Sequence, residues 1–246
     1  MRTTIIALLL AALPGLGLAA EAGYHLDHVA IDLENHASLQ RGAKLYVNYC
    51  QGCHSLDFQR YNRLGRDIGL TDELVRDNLI FTGVKVGDTM RNAMRKSDAK
   101  QWFGAAPPDL SLIARSRGTD YLYTYLRTFY LDDSRPWGVN NAVFPSVGMP
   151  HVLWQLQGWQ RPIIETVKDA GGEEKEEIGG FELVRQGSMT PAEFDAAMAD
   201  LVNFLAYVAE PVQLRRQQLG VWVIAFLLVF LVVAYYLKQE YWKDVH

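Results

Sequence analysis

Cysteine occurs twice in this sequence, and both copies fall in one pentapeptide, Cys50-Gln51-Gly52-Cys53-His54. Cys-x-x-Cys-His is the attachment signature of a c-type haem. Its two thiols add across the two haem vinyl groups, and the adjacent histidine is then held under the iron as an axial ligand. A disulfide or redox Cys-x-x-Cys would suit an exported protein, but it needs neither His54 nor a helix running into the first cysteine. A zinc site would want a second pair of ligands, and no further cysteine exists. The spacing predicts one haem c, tethered by Cys50 and Cys53 and ligated by His54.

The other axial position separates an electron carrier from a catalyst. Methionine there raises the potential and closes the iron, whereas an open position admits small molecules. The candidates are Met90, Met94, Met149, Met189 and Met198, with His25, His28, His36 and His151. Met198 lies on an apolar helical face and reads as core. Met90 and Met94 share an expected polar helix, Gly87–Lys96, and read as surface or packing residues. Met149 differs, because Phe144-Pro-Ser-Val-Gly-Met149-Pro150 places it in a loop bent by prolines and glycine. Such a loop is able to close over the far face of a haem. His151 is its main rival.

The elements that must position these residues are mostly helical. Ser38–Tyr49 reads as a helix capped by Ser38 that runs directly into Cys50. Shorter helices are expected at Thr71–Leu79, Asp109–Ser116 and Asp120–Tyr130, and Asp132–Pro150 is rich in Gly, Pro and Asn. Pro162–Asp169 and Phe181–Gln186 have strand-like composition and flank an acidic loop, Ala170–Gly180, which suggests an exposed hairpin. Thr190–Glu210 carries the plainest helix signal. Thr190 caps it, Pro191 takes the first helical position, and Glu193 completes a capping box. Phe194, Ala197, Met198, Leu201, Phe204, Leu205 and Val208 make its apolar face.

The two ends set the compartment. Residues 1–20 combine Arg2, the apolar run Ile5–Leu13 and a small-residue exit, which is the pattern of a secretory signal peptide cleaved between about residues 19 and 22. Gln217–Leu237 is uncharged and long enough, at about 1.5 Å per residue, to span a hydrocarbon core of about 30 Å. Trp222, Tyr235, Tyr236 and Trp242 suit its two interfaces. The expected organisation is therefore signal (1–20), exported domain (21–213), transmembrane anchor (214–238) and cytoplasmic tail (239–246). Arg215 and Arg216 balance Lys238 and Lys243, so the flanking charges alone do not orient the span.

The net charge is −4, which argues against a nucleic-acid binder, since those show a basic face. Residue Arg2 contributes +1 and residues 214–246 contribute +2, so the domain between carries −7. An acidic domain favours encounter with basic partners. Residues 165–177 hold six acids and two lysines. They read as a solvated loop, with a docking surface for a basic cytochrome c as the sharper alternative.

Beyond the haem motif, the chain resembles the cytochrome c1 family, the c-haem subunits of the ubiquinol–cytochrome c reductase (bc1) complex. The resemblance rests on Arg41-Gly42, Cys50-Gln-Gly-Cys-His-Ser-Leu-Asp57, Pro107-Pro-Asp-Leu-Ser111, Arg115-Ser-Arg117, Asp120-Tyr121, Gly148-Met149-Pro150 and Ala209-Glu210-Pro211. It implies a mainly α fold, a cytochrome c-like haem domain with loop and hairpin insertions, plus one C-terminal transmembrane helix. It implies Met149 as the sixth ligand, Arg117 and Tyr121 at a haem propionate, and Pro108 against the haem near His54. It further implies a redox relay without a catalytic site of its own. Such a relay takes electrons from the Rieske iron–sulfur subunit and passes them to a soluble cytochrome c, beside cytochrome b in a dimeric complex. The location implied is a bacterial inner membrane, with the haem domain on the periplasmic side. The haem subunit of a terminal oxidase, or another membrane-bound carrier, is the alternative. Some relatives brace this domain with a further disulfide; here both cysteines are committed to haem, so the Met149 loop must be held by packing.

Overall fold

A computed structural model describes residues 24–168 and 174–244; the expected signal segment lies outside them. Two helices form the frame. Helix α1 spans His36–Leu45 and helix α8 spans Pro191–Ala209, and they pack against each other. Gly42 makes that approach possible, because a Cβ there would sit 2.2 Å from the Asp200 carbonyl oxygen and 2.6 Å from Phe204 Cβ. Beside it, the Arg41 guanidinium grips the Asp200 carboxylate at 2.5 and 2.9 Å. Tyr46, Leu39, Met198, Leu201 and Phe204 fill the core between the helices.

Helix α1 is capped by Asn35, whose side chain accepts the Ser38 amide at 3.1 Å. The cap expected at Ser38 is therefore three residues late; Ser38 is buried and accepts from Asn203 instead. The helix then widens into a π turn, Tyr46–Cys50, a local form frequent at functional sites. A strand β1 (Leu56–Arg60) follows, then α2 (Tyr61–Asp67) and α3 (Asp72–Leu79), capped by Thr71 as its sequence suggests. Met90 does not sit on a helix. Thr89–Met90 form β2, antiparallel to β1, and Met90 is fully buried in the core. Tight packing beneath β1 outweighed the helical reading of Gly87–Lys96.

Helix α4 covers Lys96–Phe103, α5 Ile113–Arg117 and α6 Thr119–Arg127. Gly118, at φ 90°, divides α5 from α6 in the left-handed region that glycine tolerates. The helix expected to reach Tyr130 ends at Arg127, because Phe129–Leu131 form β3 and pair with β4 (Val139–Asn141). After a short α7 (Trp154–Gln157), β5 (Gly158–Lys168) and β6 (Glu174–Gln186) make a long antiparallel ribbon. Its strands take in Glu174–Gly180, so the pairing continues well into the expected acidic loop.

Helix α8 carries the capping box on Thr190 and Glu193. The chain turns at Glu210, whose carboxylate meets the Arg216 guanidinium, and enters α9, Gln213–Tyr241. This 29-residue helix is long and apolar enough to cross a membrane, and its most apolar stretch has mean hydropathy 2.6. None of it is buried against the rest of the protein.

Candidate functional site

The π turn and the loop after it deliver the whole pentapeptide to one place. The Gln51 amide reaches back five residues to the Tyr46 carbonyl at 2.9 Å, and the Cys53 and His54 amides both donate to the Cys50 carbonyl. Tyr46, fully buried, donates its hydroxyl to the His54 carbonyl at 2.6 Å. Cys50, Cys53 and His54 thereby line one wall of a cavity of about 360 Å³. The two sulfurs form no disulfide. Burial pushes the Cys50 thiol up to about 12, with Cys53 adding to the effect, and burial raises Cys53 as well. Thiol–disulfide exchange runs through the thiolate, so these sulfurs are poorly suited to a redox Cys-x-x-Cys.

His54 is oriented from outside its own segment. Its Nδ1 lies 2.7 Å from the Pro108 carbonyl oxygen. A carbonyl only accepts, so Nδ1 carries the proton and Nε2 keeps its lone pair for a metal. Burial lowers the imidazole below its ordinary 6.5, against the opposing pull of the Pro108 bond and Asp109. The ring is therefore neutral at pH 7. The Pro108 segment is stitched to the haem motif: Leu110 N–H to Ser55 O at 2.9 Å, Asp57 N–H to Asp109 Oδ2 at 2.8 Å, and Phe58 N–H to Ser111 Oγ at 3.2 Å.

Helices α5 and α6 supply the next wall. Arg117, Tyr121 and Tyr125 follow one another at intervals of four residues and all face the cavity. The Arg117 guanidinium lies 5.5 Å from the Tyr121 ring centre, and Tyr121 stacks on Tyr125 at 6.1 Å with 8° between planes. Tyr125 ends the series by donating its hydroxyl to Met149 Sδ at 3.4 Å.

The Met149 loop is held by two asparagines and a small apolar cluster. Asn141, with no exposed surface, donates to the Tyr125 carbonyl at 2.8 Å and accepts the Val143 and Phe144 amides. Asn140 accepts the Ser146 amide at 2.8 Å. Phe129, Val139 and Val147 form the cluster on which Met149 rests. Packing and side-chain hydrogen bonds thus take the place of a disulfide. Of the two rivals for the second axial position, Met149 lines the cavity and His151 does not. His151 is buried away from it, stacked on Phe129 at 5.1 Å and edge-on to Trp159 at 5.8 Å. Met198 is fully buried in the core.

The sequence-based residues Cys50, Cys53, His54, Pro108, Arg117, Tyr121 and Met149 all meet at this cavity. Three others were missed: Tyr46, Tyr125 and Asn141. Only Tyr125 left a signal, its place four residues after Tyr121 on one face of the expected Asp120–Tyr130 helix.

The cavity is apolar, with two unpaired thiols, an imidazole with a free Nε2, a thioether and a rim guanidinium. That donor set fits a covalently held haem. The comparisons agree with this chemistry. The cytochrome C1 family model matches residues 28–157 and 182–245, leaving unmatched most of the β5–β6 ribbon. The chain is 50% identical to cytochrome c1 of Allochromatium vinosum, over the full length of both. It is 49% identical to a Nitrosomonas europaea protein named ammonia monooxygenase gamma subunit, over 90% of this chain and 89% of that one. It is 29% identical to mitochondrial cytochrome c1 of Neurospora crassa, over 85% of this chain and 62% of that one. By matched length and by motif order, this chain belongs to the cytochrome c1 family.

Proposed function

We propose that the chain is the c-haem electron-transfer subunit of a ubiquinol–cytochrome c reductase. In this reading it relays single electrons from a Rieske iron–sulfur subunit to a soluble cytochrome c. The observation that carries it is the convergence of Cys50, Cys53, His54 and Met149 on one apolar cavity, in a chain that also has a membrane-length helix. Bound there, a haem supplies a one-electron couple at its iron. Cys50 and Cys53 tether it by thioether bonds. His54, held by Pro108, and Met149, held by the Tyr125 and Asn141 contacts, would be the residues that ligate its iron and would leave no ligand position open to small molecules. The Arg117 guanidinium offsets a propionate charge, and Tyr121 offers the same group a hydroxyl. The apolar walls keep water out, which limits reorganisation when the charge on the iron changes.

Cytochrome b and the Rieske subunit are the expected membrane neighbours. The exposed length of α9 offers their helices a packing surface. The acidic exported domain, on the periplasmic face of an inner membrane, favours a basic cytochrome c. With Cys50, Cys53, His54 and Met149 given over to the haem, the chain serves as a relay, and quinol oxidation belongs to the neighbouring subunits.

The test is purification in mild detergent of the chain tagged after His246, with haem spectra and quinol-dependent reduction of cytochrome c. Co-purified b-type haem and an iron–sulfur subunit, together with that activity, is the expected result. A c-haem preparation that brings an oxidase or a monooxygenase, with no b-type haem, would sink the reductase reading.

A further inference from the structure

Tyr125 is fixed on several sides. Tyr121 stacks on one face of its ring, Phe129 meets it edge-on at 5.2 Å and 73°, and Asn141 holds its backbone carbonyl. The phenol cannot swing away without breaking the two ring contacts. Its hydroxyl is aimed at Met149 Sδ, 3.4 Å away, a normal hydrogen-bond separation for the larger sulfur atom. A thioether sulfur has two lone pairs. If one is given to a metal, the other remains to accept this proton.

We propose that Tyr125 acts on the haem couple through Met149: its hydroxyl engages the second lone pair of the Met149 sulfur and raises the reduction potential of the bound haem. The inference rests on Met149 as the axial ligand proposed above. A sulfur that shares density with a hydrogen-bond donor gives less to the iron. The oxidised iron, which demands more of that density, loses more than the reduced form. Hydrogen bonds to metal ligands are a recognised means of tuning potential. One neutral hydrogen bond that differs in strength between the redox states is worth about threefold in electron affinity.

The experiment is a potentiometric titration of the c-type haem in the purified full-length protein, wild type against Tyr125→Phe. The long-wavelength sulfur-to-iron charge-transfer band of the oxidised protein is recorded alongside. The expected result is an intact band and electron affinity lower by about threefold, which is about 28 mV at 59 mV per tenfold for one electron. An intact band with an unchanged potential overturns the proposal. Loss of the band in the variant also overturns it, because the hydroxyl would then serve to place the sulfur and not to tune it. Absence of the band in the wild type would sink the reading of Met149 itself, and this proposal with it. Should Tyr125→Phe fail to mature, a ring-fluorinated tyrosine at the same position keeps the shape and makes a stronger donor. It must raise the potential, and a fall or no change overturns the proposal.

Discussion

The Nδ1 of His54 and the carbonyl oxygen of Pro108 are 2.7 Å apart, although 54 positions separate the two residues in the chain. The histidine that the haem motif supplies is thus aimed by a distant proline-rich turn. That turn is secured chiefly by Asp109, whose carboxylate accepts the Asp57 and Ser111 amides, each at 2.8 Å. Replacing Asp109 by alanine removes both charge-assisted bonds while leaving the Pro108 carbonyl in the chain. The expected cost is about 2 kcal/mol of stability, read as a lower unfolding midpoint of the haem-loaded protein in detergent. An unchanged midpoint would show that the turn is held without Asp109.

Met149 and His151 give opposite expectations. Met149→Leu keeps haem on the denatured chain, since Cys50 and Cys53 are untouched. It lowers the potential and lets the reduced protein bind carbon monoxide. His151→Leu leaves the axial ligand in place, because His151 packs between Phe129 and Trp159 outside the cavity. Carbon monoxide binding in the histidine variant, with none in the methionine variant, would reverse the assignment.

Asn141 ties the methionine loop to α6. Its side chain serves the Tyr125 carbonyl and the Val143 and Phe144 amides from a fully buried position. In Asn141→Ala these groups lose their partner inside the protein, at a cost of about 3 kcal/mol. The loop should loosen along with the fold. Slow carbon monoxide binding by the reduced variant, absent in the wild type, is the readout. A destabilised variant that still excludes carbon monoxide would show that the Phe129–Val147 cluster alone seats Met149.

The start of α8 is sensitive to acid. The Thr190 amide and hydroxyl both donate to the Glu193 carboxylate at 2.8 Å, which holds its pKa below the ordinary 4.5. A carboxyl lowered by folding adds stability that is fully present above its unfolded value and fades as pH falls through the folded one. Wild type should therefore exceed Glu193→Gln in unfolding midpoint at pH 7, and the gap should narrow as pH falls below the ordinary carboxylate value and through the lowered folded one. A gap that persists there would assign the effect to packing and not to charge.

Local chemistry was legible in the residues alone. Cys50, Cys53 and His54 are neighbours in the chain, so their spacing alone is enough to predict a haem tether. The α8 helix carries its apolar face within its own 19 residues and its cap in Thr190 just before them, and α9 declares itself by an uninterrupted apolar run. Elsewhere local pattern misled. The Ser38 cap moved to Asn35, while Ser38 turned inward to Asn203, and Thr89–Met90 left the expected helix to pair with β1, because contacts with distant segments outweighed local preference there.

The amino-acid sequence by itself determined what could be bonded to haem, which helices cap and span, and that no disulfide was available to brace the methionine loop. Tertiary structure alone decided which candidate ligand faces the cavity, by turning Met149 inward and stacking His151 on Phe129. It also decided what holds the ligands, bringing Pro108 to His54 and Tyr125 to Met149. The physical reason is separation along the chain. Covalent spacing places groups within a turn or two, whereas groups tens of residues apart meet only where packing and buried hydrogen bonds have closed the chain between them.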